Sequence, residues 1–341
     1  MRNRGASTAP LIGLDATYSV GKELSGVGKY SIHLMDCLSR LFPGPPLRRY
    51  YRWQGWRQAP FSGRLLFDSV PSRLDLFHGL NQRLPLRRKA KMVATFHDLF
   101  VFSDSYSDEE FRTRFQKQAK EAAERSDQII AVSDFTAQQI VDYLSYPRQQ
   151  ISVIPHGVIF PTTIAPCSSR KKIVFTVGAI QKRKNTKALI EAFRAMPSDW
   201  QLWIAGSKSG FESEQMTSSL PTNVKLLGYV SDTELAEHYQ QASIFAFPSL
   251  GEGFGIPVLE AMANGLPVLT SNTTSLPEVA GDAAILVDPT NTDAIAHHLR
   301  QLTDLSLRES LATRGLQHAR QFTWERSAAM TADVYRTLLN H

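Results

Sequence analysis

Cysteine is nearly absent from this sequence. Cys37 and Cys167 are the only two in 341 residues. They offer no disulfide framework and no metal-ligand spacing, which points to a reducing compartment. No uninterrupted apolar run is long enough to span a bilayer. Met1–Pro10 carries charge with no apolar stretch behind it, so no signal peptide is expected. The Gly-x-Gly-x-x-Gly fingerprint of dinucleotide-binding folds is missing, which leaves nicotinamide chemistry without support. No Asp-x-Asp pair stands in a place suited to clamping a metal, so neither a metal nor a cofactor is expected.

What is present suits two domains rather than one. Apolar residues make up 43% and charged residues 21%, ordinary for a globular protein. The net charge of +6 is unevenly placed. From Arg40 to Lys91 a run of arginines and lysines is opposed only by Asp68 and Asp75, interleaved with Tyr50, Tyr51, Trp53, Trp56 and Phe61. Such a mixture can seat on an anionic membrane surface, with aromatics at the interface and cations on the headgroups. It can equally be a solvated loop whose aromatics pack inward. Nucleic acid is the remote third reading and is not expected as a partner.

Strand-like and helix-like segments alternate along the chain. Short apolar runs at Leu11–Ala16, Leu65–Val70, Asp75–Gly79, Met92–Phe96, Gln128–Val132 and Ile151–Ile154 read as strands. Helices are expected from about Val27 to Leu41, over Asp108–Arg125, and over Asp134–Leu144 behind a Ser133 cap. Pro161–Arg170 is rich in Pro, Thr and Ser and reads as a linker. A second alternation follows it, and a last helix covers Thr323 to about Leu339. The expected fold class is α/β. Residues 10–160 form one doubly wound Rossmann-like domain and residues 171–322 another, separated by the linker 161–170.

The most informative stretch is Phe245 to Pro289. A buried strand, Ser243–Phe247, ends at Pro248, and Gly251, Gly253 and Gly255 make a flexible turn. Pro257 then opens a helix. Strand, glycine turn and helix start suit an anion, because free N–H groups and the positive end of the helix dipole face the turn. Glu252 and Glu260 bracket that turn. Their carboxylates suit sugar hydroxyls and a ribose diol, but taken singly each reads first as an ordinary solvated or helix acid. A second such unit, Leu11–Ala16 followed by Gly21, Gly26 and Gly28, opens the chain. Gln181-Lys182-Arg183-Lys184-Asn185 places three consecutive cations at a helix start, a costly arrangement unless an anion is expected.

The run Gly-Glu-Gly-Phe-Gly-Ile-Pro-Val-Leu-Glu-Ala-Met-Ala resembles the signature of family 4 retaining, nucleotide-sugar-dependent glycosyltransferases (glycosyl transferases group 1), in its bacterial mannosyltransferase-like branch. Ser-Gly-Val-Gly-Lys-Tyr, His97-Asp98, the Arg-Lys-Asn run and Trp324-Glu325 resemble that family too. The resemblance implies the GT-B fold, two Rossmann-like domains facing across a cleft, with the C-terminal helix 323–341 crossing back to the first. It implies donor contacts by Gly26, Gly28, Arg183, Lys184, Phe254, Gly255, Ile256 and Glu260, with Glu260 on the ribose. His97 and Glu252 would meet the transferred sugar, and Lys184 the diphosphate. Ala179 departs from the pattern, since many members carry a cation there; Arg183 stands as its substitute and Lys208 as a weaker candidate. His156 is given no catalytic role.

These readings imply hexosyl transfer, with retention, from a UDP- or GDP-sugar to a saccharide or lipid-linked acceptor. The protein is expected in the cytoplasm, with the inner face of the membrane as an open alternative. A nucleotide-sugar epimerase or hydrolase, or a non-catalytic sugar-nucleotide or membrane-binding module, is the competing reading.

Overall fold

The computed structural model describes residues 10–21, 24–42, 47–60, 62–67, 73–86, 90–103, 109–207 and 220–340. Phe61, Asp68, Arg87, Arg88, Lys89 and Lys208 lie outside them. The chain divides into two compact units, Met1–Gly157 with Trp324–His341, and Val158–Thr323.

The first unit carries a 7-stranded sheet of β1 (Ile12–Asp15), β2 (Leu47–Tyr51), β3 (Arg64–Leu65), β4 (Leu76–Gly79), β5 (Lys91–Phe96), β6 (Gln128–Ala131) and β7 (Ile151–Val153). The order is β3-β2-β1-β4-β5-β6-β7, and each neighbouring pair is parallel. Its helices are α1 (Gly26–Leu41), α2 (Trp53–Trp56), α3 (Glu109–Arg125) and α4 (Asp134–Leu144). Ser25 starts α1 by accepting from the Gly28 amide, and Ser133 starts α4 by accepting from Thr136. The C-terminal helix Trp324–Asn340 returns to this unit and packs on α1. Its buried Trp324, Ala328, Ala332 and Tyr335 recur at helical spacing and form the packed stripe.

The second unit carries a 6-stranded sheet of β8 (Ile173–Val177), β9 (Gln201–Ala205), β10 (Val224–Gly228), β11 (Ile244–Phe247), β12 (Val268–Ser271) and β13 (Ile285–Val287). The order is β10-β9-β8-β11-β12-β13, again parallel throughout. Its helices include α5 (Thr186–Phe193), α6 (Asp232–Gln241), α7 (Ile256–Ala263) and α8 (Leu276–Ala280). Strands such as Ile-Phe-Ala-Phe of β11 are buried along their whole length, as parallel strands covered on both faces must be.

In both sheets the strand order reverses beside the first strand, between β1 and β4 and between β8 and β11. Ligands of open parallel sheets lie outside the carboxyl ends at such points.

The structure divides the basic, aromatic stretch. Tyr50 and Tyr51 belong to β2 and are 2% and 1% exposed, whereas Trp53 and Trp56 of α2 are 58% and 41% exposed. The strand expected over Leu65–Val70 keeps only Arg64–Leu65 among the described residues. The stretch Pro161–Arg170 is not featureless: it holds a short 3-10 turn, Cys167–Ser169, and ends in a buried arginine.

Candidate functional site

The loops that leave β8 and β11 in the second unit are bound to one another. After β8 the chain passes Gly178, whose φ is +145°; a Cβ there would lie 3.2 Å from Lys184 Cε, so the bare glycine lets the lysine stem lie across the strand end. A 3-10 turn, Lys182–Lys184, leads to Asn185 in the left-handed region at φ 56°. Its Nδ2 donates to the Pro248 carbonyl at 3.0 Å and the Pro289 carbonyl at 2.7 Å. The Arg183 carbonyl accepts from the Leu250 amide at 2.8 Å and lies 2.9 Å from Ser249 Oγ.

Glu252 sits where these loops meet. Its Oε1 accepts from Lys184 Nζ at 2.7 Å and Ser249 Oγ at 2.6 Å, and its Oε2 accepts from Arg183 Nη1 at 2.9 Å. The same Nη1 donates to the Gly251 carbonyl at 2.5 Å. Lys184 Nζ also stands 4.8 Å from the centre of the Phe247 ring. Burial would push the Glu252 carboxyl up, but Lys184 and Arg183, with hydrogen bonds from Lys184 and Ser249, outweigh it and hold its pKa below the usual carboxylate range. The ionised carboxylate thus balances one of two adjacent cations, and the cluster as a whole remains positive.

The glycine turn behind Glu252 is held from the other side. The Glu252 amide donates to Thr274 Oγ1 at 3.1 Å, and Ser275 Oγ lies between the carbonyls of Glu252 and Phe254, at 2.7 and 2.9 Å, with one proton to share between them. Gly255 precedes α7 at φ +97°, and a Cβ there would meet Leu276 Cδ2 at 2.6 Å. Ile256 opens the helix. Phe254 turns its ring inward, 5% exposed and 6.3 Å from Phe322, so its side chain belongs to the core and its backbone to the turn. Glu260 lies one turn along α7, and its Oε2 accepts from the hydroxyl of Tyr239 at 3.0 Å.

In the first unit, Gly26 and Gly28 occupy the first turn of α1 rather than a loop before it. The Gly28 amide is taken by Ser25 Oγ at 3.2 Å, and a Cβ at Gly28 would meet the Tyr18 carbonyl at 2.6 Å. A Cβ at Gly26 meets nothing within 4 Å, so sterics do not require glycine there. His97 leaves the carboxyl end of β5, and its Nε2 lies 3.0 Å from the Leu80 carbonyl, which fixes that nitrogen as the protonated one. Its ring meets Tyr30 edge-on at 4.7 Å and His156 at 5.5 Å. Burial holds its pKa down at about 4, against a smaller upward pull from the Leu80 bond, so the imidazole is neutral at pH 7.

Behind His97 runs a buried polar chain. Tyr335 OH lies 2.5 Å from His78 Nδ1, His78 Nε2 2.8 Å from Thr95 Oγ1, and Thr95 Oγ1 3.0 Å from Tyr30 OH. No local signal assigns a site role to Ser249, Thr274, Ser275, Tyr239, Tyr30 or His78. All but Ser249, three residues before Glu252, act through a partner distant in sequence.

Two family models match most of the chain between them. "Glycosyl transferases group 1" matches residues 165–318, and "Glycosyltransferase Family 4" matches residues 28–159. The chain is 34% identical over 287 residues to the O-antigen chain mannosyltransferase B of Escherichia coli, a match covering 77% of this chain and 74% of that protein. It is 28% identical over 275 residues to the serotype-specific mannosyltransferase WbdA of the same organism, covering 73% of this chain but 34% of that longer protein. Among solved structures, the sucrose-phosphate synthase of Thermosynechococcus elongatus superposes with a TM-score of 0.78 at 21% identity, over 97% of this chain and 100% of that one. Anabaena HepE in complex with UDP and glucose superposes with a TM-score of 0.71 at 14% identity, over 96% and 98%. At these identities the structural likeness is one of fold.

Proposed function

This chain belongs to the glycosyl transferases group 1 family, and we propose that it moves a hexose, mannose in the first instance, from a nucleotide-diphosphate sugar to a saccharide or lipid-linked acceptor in polysaccharide or glycolipid synthesis. The observation that carries this reading is the Glu252–Lys184–Arg183 cluster at the carboxyl ends of β8 and β11. Positioned cations at a strand end are what a departing diphosphate needs, because charge developing on it is stabilised without reorganisation.

In this reading Lys184 and Arg183 meet the diphosphate, assisted by amides of the Gly255–Ile256 turn at the start of α7. Glu252 meets a hydroxyl of the sugar, and Glu260 the ribose diol. His97, neutral, hydrogen-bonds the sugar and does not act as a cationic acid. The bond from the anomeric carbon to the phosphate oxygen breaks as the bond to the acceptor oxygen forms on the same face. The acceptor proton passes to the leaving diphosphate, so the configuration is retained. The side-chain cations and amides supply the charge, so the reading requires no metal.

The chain is further proposed to act at the cytoplasmic face of a membrane without crossing it; among the described residues no helix is long and apolar enough to span one. The contact would use the Arg40–Lys91 stretch, where exposed Trp53 and Trp56 stack at 5.7 Å and Arg57 lies 5.6 Å over Trp53.

The purified protein incubated with GDP-mannose and with UDP-hexoses tests the reading. Nucleoside diphosphate release that depends on an added acceptor, with an axial-to-axial product by NMR for mannose and undiminished turnover in EDTA, is the expected outcome. Equal release with donor alone would move the assignment to a hydrolase or epimerase.

A further inference from the structure

Helices α6 and α7 end side by side, and both ends are held by one guanidinium. Arg170, buried at 8% exposure, donates from Nη1 to the carbonyls of Tyr239 at 2.7 Å and Ala242 at 3.1 Å, and from Nη2 to that of Asn264 at 2.6 Å. Its Nε donates to the Ala165 carbonyl at 3.1 Å. The last carbonyls of a helix carry partial negative charge and lack partners within it, so a cation between two helix ends satisfies both. A second tie runs beside it. Gln240 Nε2 donates to Asn264 Oδ1 at 2.8 Å, and Asn264 Nδ2 donates to the Glu260 carbonyl at 2.8 Å.

Tyr239 therefore has a fixed backbone, and its ring is fixed too. It is 2% exposed, edge-on to Phe175 at 5.4 Å and 5.7 Å from Phe245. From that seat its hydroxyl reaches the Glu260 carboxylate at 3.0 Å. Burial and the neighbouring carboxylate push the Tyr239 pKa well up, so the hydroxyl keeps its proton and donates.

We propose that Tyr239 is a positioning residue for nucleotide binding, its hydroxyl setting the orientation of the Glu260 carboxylate while Arg170 locks its helix end against the helix that carries Glu260. The proposal rests on the reading of Glu260 as the ribose-binding group. A flexible glutamate that must meet two vicinal hydroxyls loses rotamer freedom on binding; a carboxylate already held by a rigid phenol loses less, and the difference appears as affinity.

Calorimetric titration with UDP and with GDP tests it in the wild type, Glu260→Ala, Tyr239→Phe and the double variant. Tyr239→Phe removes one oxygen and keeps the ring, so an unchanged melting temperature certifies the fold, and Arg170→Lys serves as a second variant that keeps the charge but not the fork. The wild type is expected to bind one nucleotide. Tyr239→Phe should weaken it about tenfold, the scale of one hydrogen bond to a charged group. Glu260→Ala should weaken it at least as much, and the double variant should bind no more weakly than Glu260→Ala alone. A Tyr239→Phe protein that binds like the wild type, or one whose penalty adds in full to that of Glu260→Ala, overturns the positioning role and leaves the proposed function standing. A Glu260→Ala protein with wild-type affinity removes the ribose assignment and this proposal together.

Discussion

Glu252 has two roles that a mutation separates. It bridges two cations and balances one of them, and, on the proposed mechanism, it meets the sugar. Glu252→Gln keeps the shape and removes the charge, which makes the surroundings of Lys184 and Arg183 more positive and so more attractive to an anion. Nucleoside diphosphate should then bind as tightly as in the wild type or more tightly, while turnover falls about a hundredfold, the scale of one lost transition-state contact. Titration calorimetry beside an initial-rate assay reads both, and weaker nucleotide binding would count against the assignment. Lys184→Ala removes one of two cations from a buried carboxylate that keeps Arg183 and Ser249, and should cost stability, by roughly 2 kcal/mol, as well as transfer; thermal melting measures the first. Gly178→Ala tests the same lysine from beneath, since the added methyl stands 3.2 Å from its Cε at a φ that side chains rarely adopt. Turnover should fall in that variant with Glu252 and Lys184 both intact.

Among the elements, the turn between β11 and α7 and the short helix α2 make opposite demands. The turn is rigid: Thr274, Ser275 and Leu276 hold it, and Gly255→Ala places a methyl 2.6 Å from Leu276 Cδ2 at φ +97°. Activity should drop in that variant more than the melting temperature does, because the strain falls on amides proposed to face the diphosphate. Helix α2 instead exposes its tryptophans. If the Arg40–Lys91 stretch meets lipid, vesicles containing phosphatidylglycerol should carry the wild type upward on flotation, and Trp53→Ala with Trp56→Ala should reduce that fraction severalfold. High salt should weaken the association without abolishing it. Flotation equal in both proteins would dismiss these tryptophans as anchors.

For the whole molecule, the buried imidazoles of the first unit govern acid stability. Burial lowers the pKa of His78 to about 3 and of His97 to about 4, and takes that of His156 well below its ordinary value. In the unfolded chain each returns to about 6.5 and binds its proton there. Above that pH the difference vanishes; as pH falls through it, the unfolded state holds the extra protons and the folded state loses stability. The loss is ~1.4 kcal/mol per pH unit for each imidazole. Glu252 adds to it at lower pH, since a depressed carboxylate gives up its contribution as pH falls through its folded value. Melting temperature should be flat above about pH 7 and decline steeply below about pH 6; a curve level down to pH 5 would contradict the buried-imidazole account. The same depression means that His97 contributes no limb near pH 6.5 to the rate profile.

The sequence by itself determined the class of fold, the alternation of elements and the family. Apolar runs of strand length alternating with amphipathic helices are local signals, and so are the Ser133 cap and the glycines around Glu252. Stretch 43–90 was poorly legible because β2, Leu-Arg-Arg-Tyr-Tyr, alternates no apolar face; only its place between β3 and β1 buries Tyr50 and Tyr51. Tertiary structure alone decided which charges meet. Lys184 and Arg183 reach Glu252 because the strand order reverses between β8 and β11, and Tyr239 reaches Glu260 because two helix ends share one buried arginine. Such contacts depend on chain crossings over many residues, and no local spacing encodes them.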